Sequence, residues 1–141
     1  MTALEPQPAG IPLPEPTHIS APYWDGANRG ELRYQHCAAC DLAQMDPRPA
    51  CRRCMGPLDW QTSTGIGTIT SYTIVWRPPV PSFTVPYAPA IVELDEGFEL
   101  LTNIVGCQTT ELAVGLQVRA TFHEVEPGRS LPYFSPMVTG G

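Results

Sequence analysis

The sequence predicts a mainly β protein in which a short helix and a four-cysteine ribbon precede a small five-stranded barrel. Three observations predict it. Two Cys-x2-Cys pairs lie between residues 37 and 54, β-branched and aromatic stretches follow one another after residue 60, and 17 prolines and 12 glycines punctuate 141 residues. Punctuation that dense favours short strands and turns over long helices. A hydrophobic fraction of 43% suffices for one core, and the length suits one domain or a small module attached to one.

Residues 1–22 form a proline-rich arm, with prolines at 6, 8, 12, 14, 16 and 22 and few large apolar groups. Such a segment buries too little surface to offset its ordering entropy, so it reads as extended or disordered, free or laid on a partner. Residues 23–60 hold a helix and the ribbon. The helix is expected to start near Asp25, with Asp25 as its cap, weakened by Gly26 and Gly30. Tyr23 and Trp24 ahead of it either pack on the chain's own core or form a docking patch.

Residues 61–136 read as the barrel and 137–141 as a tail. Segment 66–77 (IGTITSYTIVWR) alternates with the strand period. Segment 77–89 carries five prolines and must be a loop. Strand 90–95 turns at Glu96-Gly97 into 98–106, a hairpin. Residues 109–115 (TTELAVG) suit one helical turn, capped by Thr109 or Thr110 and ended by Gly115. Strand 116–125 puts Leu116, Val118, Ala120 and Phe122 on one face, with His123 turned outward, and LPYF (131–134) is a last short strand. A helix between the third and fourth strands of a five-stranded barrel is an OB-fold arrangement.

Cys37, Cys40, Cys51 and Cys54 form two Cys-x2-Cys pairs with ten residues between them. Each pair fits a tight turn with both sulfurs facing one point, and two such turns give four thiolates in a tetrahedron, the set zinc prefers. Disulfides are the alternative in an oxidising compartment, and iron in the same ligand set is another. Four thiolates leave no open coordination position, so one zinc ion per chain is expected, structural and not a Lewis acid. A ribbon this small has almost no core, and the metal supplies its folding energy. Arg48, Arg52 and Arg53 flank the second knuckle. They either offset the negative charge of a zinc tetrathiolate or form a solvated basic surface.

Other chemistry finds little support. Net charge is −6, every basic side chain is Arg, and there is no Lys. That excludes Schiff-base catalysis by a lysine. Residues 61–141 carry three Arg against seven acids, the wrong sign for a nucleic-acid groove. Cys107 has no local nucleophile–base pattern and reads as a buried, inert cysteine, while His18, His36 and His123 read as surface groups, with His36 able to brace Cys37. Glu93, Asp95, Glu96 and Glu99 cluster at a hairpin tip, where solvated charge is usual. No apolar run approaches a membrane span, and the N-terminus lacks the basic and apolar regions of a secretory signal, so a cytoplasmic location with no membrane partner is expected.

The stretch YWDGANRGELRYQHCAAC, the second pair PRPACRRC, the GIGTITSYTIV strand, the NIVGC turn with GLQVRATF, and the terminal LPYFSP together resemble the DUF35 family over residues 22–136. The family joins a rubredoxin-like zinc ribbon to an OB-fold. The chain departs from the family's knuckles, which often place Gly directly after the second Cys of each pair; here Asp41 and Met55 stand there. The resemblance implies a non-catalytic subunit supporting a thiolase-superfamily acyl-CoA enzyme, one that cleaves C–C bonds by retro-aldol or thiolytic chemistry in steroid side-chain or other acyl-CoA catabolism. A role beside a thiolase-like acyltransferase or a MaoC-type hydratase is the alternative. A hetero-oligomer with two copies of each chain is the natural stoichiometry. The resemblance also implies acyl-CoA binding by the barrel. OB barrels take ligands on the loop after the first strand. That points to Trp76 and Arg77, for an adenine ring and a phosphate, and to Phe83 and Tyr87. The partner interface is expected at Tyr23, Trp24, Tyr133 and Phe134.

Overall fold

Five strands close into a barrel in the computed structural model, which describes residues 3–137. Numbered along the chain, they are β5 (Ile66–Tyr72), β6 (Ala88–Leu94), β7 (Glu99–Ile104), β9 (Gln117–Glu126) and β10 (Arg129–Pro136). Their order around the barrel is β10-β7-β6-β5-β9, and β9 pairs β10 to close it. All contacts are antiparallel except β10 on β7, which meet in parallel at Phe134 and Ile104. A single turn of 3-10 helix, Thr109–Glu111, lies between β7 and β9, completing the OB arrangement.

Alternation along the strands builds the core. Ile69, Val92, Leu94, Ile104, Val118 and Phe134 point inward and are almost fully buried. Leu116, Ala120 and Phe122 pack against this cluster, the face expected for β9. Gly67 is required by close packing: a Cβ there would lie 2.7 Å from the Glu93 carbonyl oxygen and 2.7 Å from Val92.

The ribbon is a three-stranded sheet in the order β3-β2-β4, where β2 is Arg33–Cys37, β3 is Leu42–Gln44 and β4 is Asp59–Thr62. It shares the barrel's core through Leu32, Tyr34 and Ala43. Tyr34 stacks on Phe98 at the β6–β7 turn, with ring centroids 4.7 Å apart. The connection into β5 is pinned by Glu96, which accepts hydrogen bonds from Ser63 Oγ at 2.6 Å and the Thr64 N–H at 2.8 Å. One of the acids expected to be solvated is thus a clamp.

Several expectations are corrected. Helix α1 runs Ala21–Asn28, so it takes in the end of the arm, and Ser20, not Asp25, occupies the cap position. Pro22 lies in the first turn, where its fixed φ suits the helix, and Thr17 and Ser20 close the preceding turn with reciprocal hydrogen bonds. The arm is extended, but it lies on the chain's own barrel. Its strand β1 (Ala3–Leu4) pairs with β8 (Cys107–Gln108), Leu4 is 2% exposed, and Ile11 and Gln7 are buried. The arm needs no core of its own because it borrows apolar surface from the barrel. The 3-10 turn is capped from Gln108, whose N–H donates to Glu111, and neither threonine serves. The first barrel strand ends at Tyr72, beyond which the Thr73 N–H donates to the Pro89 carbonyl at 3.0 Å and Val75 bridges to Tyr87. The last strand is longer than LPYF, because all of Arg129–Pro136 pairs with β9. Tail residues 138–141 lie outside the described residues. No helix among the described residues is long and apolar enough to cross a membrane.

Candidate metal centre and its surroundings

β2 ends at Cys37, a turn brings Cys40 back before β3, and a second turn carries Cys51 and Cys54. The four Sγ atoms lie within 4.8 Å of one another, with Cys37 and Cys54 at 3.6 Å. A tetrahedral zinc tetrathiolate with zinc–sulfur bonds near 2.3 Å has sulfur–sulfur edges of about 3.8 Å, so the cluster fits that ion. Cys37 and Cys51 are fully buried and Cys54 is exposed. Backbone donors point at the sulfurs, with Arg53 N–H to Cys51 at 3.4 Å and Gly56 N–H to Cys54 at 3.3 Å.

Both positions that depart from the family's glycine have left-handed backbone: φ is 52° at Asp41 and 63° at Met55. The knuckle shape is therefore kept despite the side chains. Asp41 also accepts a hydrogen bond from His36 at 2.9 Å, so His36 braces the first knuckle. Two buried glutamines, which no motif in the sequence marks, secure the second. Gln35 takes the Arg48 N–H on its Oε1 and gives its amide to the Arg48 carbonyl, both at 2.9 Å, and Gln44 Oε1 accepts from the Arg52 N–H at 3.2 Å. They sit on neighbouring strands β2 and β3, opposite one another in register.

The thiols are unequal. The N–H groups of Cys54 and Arg53 draw Cys51 down to about 6, while the thiol of Cys54, together with burial, pushes Cys40 up to about 12. The Cys40 N–H lowers Cys37, but burial and the thiols of Cys54 and Cys51 outweigh it and raise that group. Four thiols this close do not all ionise unless a cation balances them, and a bound zinc ion does so outright. Held by Cys37, Cys40, Cys51 and Cys54 together, such an ion would be structural, because four thiolates would leave it no open coordination position.

Cys107 lies on β8 beneath the arm, half-buried, and burial followed by the charge of Glu111 raises its thiol. A protonated, shielded thiol is a poor nucleophile. Among the described residues no histidine hydrogen-bonds it. His123 is half-buried, edge-on to Tyr133 at 5.4 Å.

The aromatic residues separate. Phe134 is fully buried inside the barrel, and Tyr133, facing outward, is buried under the arm with its hydroxyl accepting the Gln7 N–H. Neither presents a ring at the surface, so the chain's own fold covers both interface candidates on the LPYF strand. Tyr23 and Trp24 meet edge-to-face at 4.9 Å and both line a groove of about 750 Å³. Phe83 stacks on Tyr87 at 5.6 Å within the 77–89 loop, and Phe83 also lines a cavity of about 290 Å³ with Gln7 and Tyr133. Trp76 is 55% exposed, and neither it nor Arg77 lines either cavity. The Val75–Tyr87 bridge closes the base of the loop.

A zinc-ribbon sheet joined to an OB barrel, with the only clustered cysteines of the described residues gathered at one point, defines a small zinc-ribbon and OB-fold protein. Comparison places it further: the chain belongs to the DUF35 family. A model described as the ChsH2 rubredoxin-like zinc ribbon domain matches residues 24–59, and one described as the ChsH2 C-terminal OB-fold domain matches residues 60–123. In solved structures, the chain called "Ltp2-ChsH2(DUF35) aldolase" is 35% identical and superposes with a TM-score of 0.82, over 89% of this chain and 100% of that one. Among curated proteins, a probable enoyl-CoA hydratase alpha subunit of Thermomonospora curvata is 37% identical over 90% of this chain and 40% of its own length. The 3-oxo-4,17-pregnadiene-20-carboxyl-CoA hydratase alpha subunit of Mycobacterium tuberculosis is 35% identical over 82% of this chain and 37% of its own length. This chain therefore spans about two fifths of those subunits. A DUF35 domain-containing scaffold protein of Methanothermobacter thermautotrophicus is 37% identical over 69% of this chain and 75% of its own length.

Proposed function

We propose that this chain is a non-catalytic subunit that binds and supports a thiolase-superfamily acyl-CoA enzyme, one that breaks a carbon–carbon bond by retro-aldol or thiolytic chemistry. The observation that carries the reading is the likeness to the aldolase chain, which extends over the whole of that chain. The site chemistry supports it. The cysteine cluster is fitted to one structural zinc ion per chain, Cys107 is shielded, and the hairpin carboxylate Glu96 holds the ribbon to the barrel. The hydratase named for a steroid carboxyl-CoA supports a steroid side-chain thioester, or a related acyl-CoA, as the partner's substrate. On this reading the loop at 77–89, with Trp76, Arg77, Phe83 and Tyr87, is where the chain meets the CoA end of that substrate.

A second reading has a specific observation in its favour. Both hydratase subunits contain the matched region as part of a longer chain, so service to a MaoC-type hydratase is the alternative. One experiment separates the two. The chain is co-expressed with thiolase-superfamily proteins, and separately with MaoC-type proteins, of the same genome. The proposal expects co-elution with a thiolase-superfamily protein at micromolar concentration and acyl-CoA cleavage by the pair. Separate elution, or full turnover by this chain alone, refutes it.

A further inference from the structure

The solvent face of the β6–β7 hairpin is unlike an ordinary solvent face. Outward positions pair as Ile91 with Leu101 and Glu93 with Glu99. Leu101 is 74% exposed and Ile91 38%, so two aliphatic side chains stand side by side in water. One step along, two carboxylates face each other directly across the strand pair, an unfavourable arrangement. Neither forms an ion pair among the described residues. The aliphatic pair forms one wall of the 750 Å³ groove, and the Tyr23–Trp24 pair and Pro14 form others. Its charged lining residues are Glu15, Asp46 and Glu99, all acidic.

We infer that this groove is the docking surface for an apolar segment of the partner protein that carries Arg or Lys beside its apolar side chains. This deepens the subunit reading and rests on it for the partner's identity. The apolar walls supply the area and the rigid aromatic pair the anchor. The unneutralised Glu93–Glu99 pair and the acidic rim supply the charge that a basic segment complements. The same rim repels the phosphates of CoA, so this groove is set aside for protein, and acyl-CoA must be met elsewhere.

The test has two arms. In the first, the intact chain is titrated at low ionic strength with a short amphipathic Leu/Arg peptide and with its Leu/Glu counterpart, followed by heteronuclear NMR. The Leu/Arg peptide should shift the Trp24 indole and the Ile91 and Leu101 amides, the Leu/Glu peptide should not, and added salt should weaken the effect. Equal response to both peptides, or shifts confined to other surfaces, overturns the inference. In the second arm, Leu101→Asp and Glu99→Lys chains are mixed with the thiolase-superfamily partner. Each should keep the wild-type melting temperature and weaken the complex by about tenfold or more. If wild type binds the partner and both variants bind equally well, the groove is not the interface, although the subunit reading stands. If wild type binds no thiolase-superfamily protein, the subunit reading fails, and the peptide arm alone decides the groove.

Discussion

Gln7 and Thr84, 77 positions apart, exchange two hydrogen bonds as partners on neighbouring strands would: the Thr84 N–H donates to Gln7 Oε1 at 2.8 Å, and Gln7 Nε2 donates to the Thr84 carbonyl at 2.9 Å. The arm thereby holds the proline loop that follows β5, and the Gln7 N–H itself donates to Tyr133. Gln7→Ala is expected to cost about 1–3 kcal/mol in urea unfolding, since it leaves partly buried backbone groups at Thr84 unpaired. It should also raise hydrogen exchange in residues 77–89. An unchanged midpoint and unchanged exchange would show that the arm merely rests on the barrel.

The knuckle backbones give a prediction with the opposite sign. Met55 is exposed yet held at φ 63°, a conformation that costs an L-residue about 1–2 kcal/mol. Met55→Gly removes that cost and adds unfolded-chain entropy, for a net gain of about 0.5–1 kcal/mol. Met55→Val, β-branched at the same φ, should destabilise. Chemical denaturation of the zinc-loaded chains orders the three, and glycine falling below methionine would contradict the strain argument.

The metal cluster predicts a sharp contrast among cysteines. Cys37→Ser, Cys40→Ser, Cys51→Ser and Cys54→Ser should each abolish stoichiometric zinc and give an unfolded or insoluble ribbon, because binding energy and folding energy are the same quantity in such a module. Cys107→Ser should keep zinc and solubility. A soluble, zinc-free ligand mutant with unchanged melting would remove the structural role.

Alkaline pH should report on the aromatic corner. Burial pushes Tyr23 up from 10.0 to about 12 and raises Tyr133 in the same direction. The folded state holds the phenolic proton more tightly than the unfolded chain does. Its contribution is therefore complete below pH 10 and is lost as pH climbs to 12, on the order of 2 kcal/mol for Tyr23. With no lysine in the sequence, no side-chain amine titrates in this window. Tyr23→Phe should flatten the decline in urea midpoint between pH 10 and 11.5, and identical declines in both proteins would refute the assignment.

Much of this architecture was readable in the sequence, for definable reasons. Cys-x2-Cys spacing encodes a local turn, so the ligand set stood out without any tertiary knowledge. Alternation in β9 named its inner face, because the strand period is short and one side is buried. What escaped depends on contacts between distant segments. Leu4 and Ile11 are too few to suggest a core, and they become buried only because the barrel offers them a surface. Nothing local to Tyr133 reveals that the arm runs over it. The Gln35 and Gln44 braces of the second knuckle sit on strands that no periodicity marked, and Glu96 gave no sign of reaching back to Ser63. Helix α1 was misplaced because Asp25 is a good cap by type, whereas Pro22 and the Thr17–Ser20 turn decide where the helix begins.

Native mass spectrometry of this chain, co-expressed with a thiolase-superfamily protein of its own genome, tests the combined account most directly, because one spectrum weighs subunits and metal together. The expected spectrum shows an assembly holding two of each polypeptide, with the added mass of a single zinc ion on every copy of this chain. Free, metal-free monomers of this chain beside an unaccompanied enzyme would contradict it.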